Sequence, residues 1–142
     1  VTKAAARIAK GSTEPLVVGN IHAIRDWGHA KDYVEAMWRM VQQKDPDDYV
    51  IATNRCLSVK YLIDLAFDYA GITLEWHDSR NGEFAADAKT GHILVITDPK
   101  YRRPNEVDFL QGIPTKAKDV LGWEPTTSFE DLIKEMIEHD LK

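Results

Sequence analysis

The stretch RDWGHAKDYVEAMW, from Arg25 to Trp38, decides the fold expected for this chain. It joins a charged, aromatic turn to a segment with helical periodicity. After His29, apolar residues recur at spacings of three and four, which is the period of a helix with one buried face. These residues are Ala30, Tyr33, Val34, Met37, Trp38 and Val41. We therefore predict an amphipathic helix whose apolar face packs into the core.

Arg25 stands just before this helix, and we place it at a loop-to-helix junction. A planar guanidinium can engage two oxygens at once, so Arg25 is a candidate to bind a diphosphate. The alternative is an ordinary ion pair with Asp26, Asp32 or another surface carboxylate. The residues alone leave both interpretations open.

A second candidate binding segment is Arg103-Pro104-Asn105-Glu106. Pro104 restricts the residue before it to extended backbone, which would give the Arg103 side chain a defined direction. The Glu106 carboxylate could accept hydrogen bonds from two hydroxyl groups, such as those of a ribose. The alternative is a solvated surface turn.

Composition and charge exclude several classes of function. The chain has 142 residues, of which 44% are apolar and 29% charged, as in soluble globular proteins. We expect a single domain over residues 1–142. A net charge of −5 argues against nucleic acid or an anionic membrane as partner. The apolar runs are too short to cross a bilayer. The single cysteine, Cys56, fits a reducing compartment, so we expect a cytoplasmic protein.

Patterning predicts several helices alternating with short strands. The chain opens at Val1 in what reads as a helix already under way, so we expect it to come from the interior of a longer polypeptide. Ser58, Thr115 and Ser128 are predicted helix N-caps. Residues 77–90 read as a surface loop or flap. Strands are predicted at residues 16–18, 49–53, 73–76 and 92–97.

Catalytic signatures are missing from the sequence. There is no G-x-G-x-x-G turn to hold a dinucleotide, and no Tyr-x-x-x-Lys pair. The five histidines and Cys56 lack metal-ligand spacing. We therefore expect no catalytic residue, no metal and no bound cofactor in this chain, and we expect it to be inactive alone.

Four strings in order carry a family resemblance: RDWGHAKDYVEAMW, DYVIAT, RRPNEVDFLQG and LGWEPTTSFEDLIKEM. They closely resemble the matching stretches of GDP-mannose 4,6-dehydratases, which are extended short-chain dehydrogenases/reductases. The resemblance covers nearly the whole chain. It implies an α/β fold, the C-terminal substrate-binding domain of such an enzyme, with helices and several short strands but without the main Rossmann sheet.

The resemblance also implies roles for particular residues. Arg25 and Arg103 would grip the diphosphate of a nucleotide-sugar, and Glu106 would hold its ribose. Gly19 and Asn20 match the loop that runs beside the nucleotide base. His22 and Ile24 differ from the commonest family residues in that loop.

The parent enzyme is expected to use NADP to convert GDP-mannose to GDP-4-keto-6-deoxymannose, a precursor of GDP-fucose and GDP-rhamnose. It is also expected to be a homo-oligomer. The alternatives are another nucleotide-sugar dehydratase or epimerase, or a non-catalytic nucleotide-sugar-binding or oligomerisation module.

Overall fold

The computed structural model describes residues 1–103 and 105–142. The interpretation that Pro104 directs Arg103 lies outside the described residues. The described helices are α1 (Thr2–Ala9), α2 (Ala30–Val41), α3 (Val59–Tyr69), α4 (Thr115–Leu121) and α5 (Phe129–Asp140). The described strands are β1 (Leu16–Val18), β2 (Ile24–Asp26), β3 (Cys56–Ser58), β4 (Leu74–Ser79), β5 (Gly82–Asp87) and β6 (Ile93–Thr97). This confirms an α/β chain with short strands.

By the density of its contacts, the chain divides into two compact units. Unit 1 comprises Val1–Ala23, Ser58–Asp108 and Ile133–Lys142. Unit 2 comprises Ile24–Leu57 and Phe109–Leu132. That the two units act as a single domain over residues 1–142 stays a prediction.

Unit 1 is built around a four-stranded mixed sheet in the order β1-β6-β5-β4. Strand β1 runs parallel to β6, with Val18 opposite Thr97, whereas β4, β5 and β6 are antiparallel neighbours. The buried apolar residues of this unit lie on β5, β6, α1, α3 and the end of α5. Among the most deeply buried are Ala5, Ile63, Ala66, Phe67, Ala85, Val95 and Ile137.

The prediction of a loop over residues 77–90 is wrong, because most of this stretch forms the β4–β5 hairpin. The hairpin turns at Arg80-Asn81, between the paired residues Ser79 and Gly82. Strand β4 lies at the edge of the sheet and its outer residues are exposed. An edge strand tolerates the polar residues that suggested a loop.

Unit 2 has a small core. It consists of Ala36, Ala117, Leu121 and Trp123, with Tyr33, Met40, Tyr49 and Ile51 packed against them. The Trp123 indole donates a hydrogen bond to the backbone oxygen of Asp32 at 2.8 Å. Strands β2 and β3 form a separate two-stranded sheet.

The predicted helix after His29 is confirmed, but the prediction that its whole apolar face is buried is wrong. Val34, Met37, Trp38 and Val41 are exposed by 62%, 59%, 59% and 76%. We call these four residues the outer face of α2. The core of unit 2 instead packs against the adjoining side of α2, through Tyr33, Ala36 and Met40.

The prediction of a strand at residues 49–53 is also wrong, since none of these residues is assigned to a strand. Their side chains nevertheless alternate as in a strand. Tyr49 and Ile51 pack on the core of unit 2, whereas Val50 is exposed. The composition therefore favours a strand, but no described part of the chain pairs with it.

Two of the three predicted caps are confirmed, whereas the prediction for Thr115 is wrong, because Thr115 is the first residue of α4 and Pro114 stands at the cap position. The Ser58 hydroxyl accepts a hydrogen bond from the Tyr61 backbone N–H, and the Ser128 hydroxyl accepts one from Asp131. Each satisfies an N–H group that the first turn of its helix leaves without a partner.

Candidate functional site

The Gly19-Asn20 turn meets the segment that follows β6. The two segments come together because β1 and β6 are parallel neighbours, so that the residues following both strands leave the same edge of the sheet. The Asp98 backbone N–H donates to the Val18 carbonyl at 2.8 Å. A short 3-10 turn, Pro99–Tyr101, then carries the chain over Gly19.

Gly19 has no room for a side chain. A Cβ atom built on it would lie 2.5 Å from the backbone oxygen of Tyr101 and 2.9 Å from its carbonyl carbon. Since these are backbone atoms, the neighbour cannot rotate away. Glycine at this position thus allows the two segments to approach closely.

Asn20 anchors the turn through its side chain. Its Oδ1 accepts a hydrogen bond from the His22 backbone N–H at 2.9 Å, and its Nδ2 donates to Asp108 Oδ1 at 3.5 Å. The second contact joins residues 88 positions apart in sequence. The Gly19-Asn20 turn therefore lies beside Tyr101 and Asp108, the two ends of the segment that contains the predicted residues Arg103 and Glu106.

Arg103 and Glu106 lie on that segment. Arg103 is exposed and Glu106 is half-buried. Three exposed cations, Lys100, Arg102 and Arg103, lie within four residues of each other, and the acidic residues Glu106 and Asp108 follow them in the segment. A local group of cations suits an anionic ligand. The assignment of Arg103 to a diphosphate and of Glu106 to a ribose stays a prediction.

Arg25 belongs to unit 2 and lies in strand β2, so its predicted place at a loop-to-helix junction is wrong. It is half-buried, and its Nη1 donates to the Ile24 backbone oxygen at 2.8 Å. This contact holds the guanidinium against the strand. The joint action of Arg25 and Arg103 on one diphosphate stays a prediction.

Asp26, next to Arg25, accepts hydrogen bonds from Thr53 that the sequence analysis did not predict. Its Oδ1 accepts hydrogen bonds from the Thr53 backbone N–H at 2.9 Å and from the Thr53 hydroxyl at 2.6 Å. Its Oδ2 is buried without a hydrogen-bond partner among the described residues. Burial, with a smaller effect of the Asp26 charge, raises the pKa of the Cys56 thiol, which fits an unreactive cysteine.

His22 forms a second contact that the sequence analysis missed. Its Nε2 lies 2.5 Å from Glu83 Oε2, and Lys60 Nζ lies 3.7 Å from the other oxygen of Glu83. Since His22 also donates its backbone N–H to Asn20, this group ties the turn to strand β5. The 61 residues between His22 and Glu83 explain why local patterning could not reveal the pair.

Among the residues that the structure describes, no group of three or more histidine, cysteine, aspartate or glutamate side chains could hold a metal ion. Within the same residues, no helix is long and apolar enough to cross a membrane.

Comparison with known proteins gives consistent sequence matches. The dehydratase of Sinorhizobium fredii, named GDP-mannose 4,6-dehydratase, is 49% identical over 141 residues, 99% of this chain and 40% of the relative. The human enzyme of that name is 44% identical over the whole chain and 38% of its own length. The Dictyostelium discoideum enzyme is 47% identical over the whole chain and 40% of its own length. The chain thus spans about two fifths of these relatives.

Solved structures share the fold. The RMD protein of Pseudomonas aeruginosa, complexed with NADPH, superposes with a TM-score of 0.75 over 99% of this chain and 40% of its own, at 20% identity. A UDP-glucose 4-epimerase of Thermotoga maritima with UDP-glucose gives 0.69 over 96% of this chain and 37% of its own, at 24% identity. A family model described as GDP-mannose 4,6 dehydratase matches residues 1–136. With that match and relatives of 44–49% identity, this chain belongs to the GDP-mannose 4,6-dehydratase family.

Proposed function

We propose that this chain is the nucleotide-sugar-binding part of a GDP-mannose 4,6-dehydratase, which converts GDP-mannose to GDP-4-keto-6-deoxymannose. The family match over residues 1–136 is the observation that carries this proposal. The close approach of Gly19-Asn20 to residues 101–108 supports it, because two segments given nucleotide-binding roles by the resemblance are adjacent in unit 1.

The proposed contacts follow from the chemistry of the side chains. Arg103 and Arg25 bind the diphosphate, since a guanidinium donates two parallel hydrogen bonds to phosphate oxygens. Glu106 accepts hydrogen bonds from the ribose hydroxyls. The Gly19-Asn20 turn runs beside the base. The lack of a side chain at Gly19 keeps this turn close to Tyr101.

NADP does not fit the residues of this chain. The sequence contains neither the glycine-rich turn that cradles a dinucleotide pyrophosphate nor the Tyr-x-x-x-Lys pair of short-chain dehydrogenases. We propose that a dehydratase-length protein binds NADP through residues outside these 142, and that it is a cytoplasmic homo-oligomer. The present chain then contributes substrate binding and no catalytic residue.

Titration with nucleotides tests this function. GDP-mannose, GDP and UDP-glucose are added to the chain, and binding is followed by the chemical shifts of its backbone amides. We expect GDP-mannose to bind with a dissociation constant of roughly 1 mM, equivalent to about 4 kcal/mol, because only part of the binding site is present. Amides of the Gly19-Asn20 turn and of residues 101–108 should shift most.

Arg103→Ala should weaken GDP-mannose binding by at least about tenfold, the effect of losing one charge-assisted contact. Arg80→Ala is the matched control, because it removes an exposed arginine of the same unit at the turn of the β4–β5 hairpin. An equal, non-saturating response of both variants and of the unaltered chain would refute the diphosphate assignment. Tighter binding of UDP-glucose would instead favour an epimerase or another dehydratase, and no binding of any nucleotide would favour an oligomerisation module.

A further inference from the structure

Residues 21–23, which follow the Gly19-Asn20 turn, are fixed to unit 1 by their main chain and by two buried side chains. The backbone oxygens of Ile21 and Ala23 accept hydrogen bonds from N–H groups in the first turn of α3, at 2.7 and 3.0 Å. Those N–H groups have no partner within the helix itself. The side chains of Ile21 and Ala23 are both buried. None of these contacts involves a group that titrates near neutral pH.

His22, between those two residues, makes a contact of a different kind. Its exposed ring reaches β5, where Nε2 lies 2.5 Å from Glu83 Oε2. Its backbone N–H donates to Asn20 Oδ1 at 2.9 Å. The ring and the Asn20 side chain are thus coupled through a single residue. Holding the ring against β5 fixes the N–H group that orients the Asn20 amide.

The strength of this contact depends on the charge of the ring. A histidine ring gains its positive charge between about pH 8 and pH 5. A charged ring forms an ion pair with Glu83, and a charge-assisted hydrogen bond is about twice as strong as a neutral one. The other oxygen of Glu83 lies 3.7 Å from Lys60 Nζ, which also lies 4.6 Å from the centre of the Trp76 ring. Lys60 therefore leaves Glu83 Oε2 to His22.

The order of this turn matters for a ligand that lies beside it. Binding to a mobile segment loses affinity, because the segment must become ordered when the ligand arrives. A contact that orders the segment beforehand removes part of that cost. The His22–Glu83 pair therefore acts on affinity through the Gly19-Asn20 turn, without touching the ligand.

We propose that His22, through its pair with Glu83, is a positioning residue that holds the Gly19-Asn20 turn ready for a nucleotide-sugar and makes nucleotide affinity depend on pH. Protonation of the ring tightens the pair and strengthens binding, and loss of the proton weakens both. This inference rests on the proposed function, since it concerns the same turn.

Titrations with GDP-mannose at pH 6 and pH 8, followed by backbone amide shifts, test the proposal. Each phosphate of GDP-mannose is linked on both sides, so the charge of the ligand does not change between these pH values. His22→Gln removes the charge of the ring, and Glu83→Gln keeps a hydrogen-bond acceptor but removes its charge. His92→Gln is the matched control, because it removes an exposed histidine of the same unit at the end of β6 away from the turn.

We expect the dissociation constant of the unaltered chain to be about threefold lower at pH 6 than at pH 8, which is within the range of a partly exposed ion pair. His92→Gln should keep this response. His22→Gln and Glu83→Gln should lose it and bind equally at both pH values. Hydrogen exchange at pH 6 adds a measurement without ligand: the His22 amide should exchange about threefold faster in Glu83→Gln than in the unaltered chain.

Several results would overturn the proposal. A pH response that is absent from the unaltered chain, or that persists in His22→Gln, would show that the pair does not control affinity. A response that persists in Glu83→Gln would show that the charged ring acts on the ligand directly and not through the turn.

Failure of the proposed function gives a different result. In that case no protein binds GDP-mannose at either pH, and the positioning role falls with it. If the positioning role alone is wrong, GDP-mannose still binds, with an affinity that does not depend on the His22–Glu83 pair.

Discussion

Asp32 should be among the side chains on which the stability of unit 2 depends most. It lies in the first turn of α2 and is only 6% exposed. Its Oδ1 accepts a hydrogen bond from the Thr126 hydroxyl at 2.6 Å, and its Oδ2 accepts one from the Thr127 backbone N–H at 3.0 Å. Asp32→Ala removes both acceptors and leaves the N–H of Thr127 without a partner.

The magnitude follows from these two bonds. A hydrogen bond to a charged group contributes about 1.5–3 kcal/mol, so we expect Asp32→Ala to lower the free energy of unfolding by about 3 kcal/mol. For a chain of this size, the melting temperature should fall by about 10 °C. The bond from the Trp123 indole to the Asp32 backbone oxygen survives the substitution, and this limits the loss.

The assay is urea and thermal unfolding followed by circular dichroism. Asp119→Ala is the control, because Asp119 is an exposed carboxylate of the same unit, on α4. The control should unfold within about 0.5 kcal/mol of the unaltered chain. If Asp32→Ala is equally mild, the reasoning that this carboxylate stabilises unit 2 is refuted.

The pH dependence of stability gives a second signature of Asp32. Burial acts to raise its pKa, but the hydrogen bonds from Thr126 and Thr127 outweigh this, and the pKa lies below its ordinary value. A lowered pKa means that the folded chain holds this proton less tightly than the unfolded chain does. The stabilisation is therefore complete above the unfolded pKa of about 4 and is lost as the pH falls through the folded value. Asp32→Ala should reduce the slope of stability against pH in this acid range.

Three further predictions concern other contacts. Gly19→Ala should distort the turn against the Tyr101 backbone and lower the free energy of urea unfolding by about 1–3 kcal/mol. It should also abolish the amide shifts that GDP-mannose causes, and unchanged shifts would contradict this. Thr97→Val should cost about 1–2 kcal/mol, because the buried Thr97 hydroxyl both accepts from and donates to the β5 backbone; a loss below about 0.5 kcal/mol would show the contact to be dispensable. Arg55→Ala should cost less than about 1 kcal/mol despite the two 2.6 Å contacts of Arg55 with Glu130, since both side chains are partly exposed; this loss should shrink in 1 M salt, and a larger, salt-independent loss would be against it.

Sequence patterning predicted the local structure well where a single period or cap decides it. The helix after His29 and the caps Ser58 and Ser128 are confirmed. Periodicity identifies an apolar arc but gives no information on how much of that arc meets a partner in the same chain. The predicted burial of the outer face of α2 was therefore wrong, although the helix itself was right.

Errors of a second kind came from pairing between distant segments. Residues 49–53 have the composition of a strand, but a strand needs a neighbour, and composition does not supply one. The polar composition of the β4–β5 hairpin predicts a loop, because an edge strand does not need an apolar outer face. The contacts of Asn20 with Asp108 and of His22 with Glu83 depend on the sheet order, which no local pattern contains.

The pairing of β1 with β6 has a consequence for the order of folding. The β4–β5 hairpin joins neighbouring segments and closes a short loop, so it can form early. Strand β1, in contrast, pairs with a strand about 80 residues later in the chain, Leu16 with Val95, and closing so long a loop has a larger entropic cost. The turn at Gly19-Asn20 gains its neighbours only when this last ladder forms. We therefore expect the segment given the role of meeting the nucleotide base to be one of the last parts of unit 1 to become ordered.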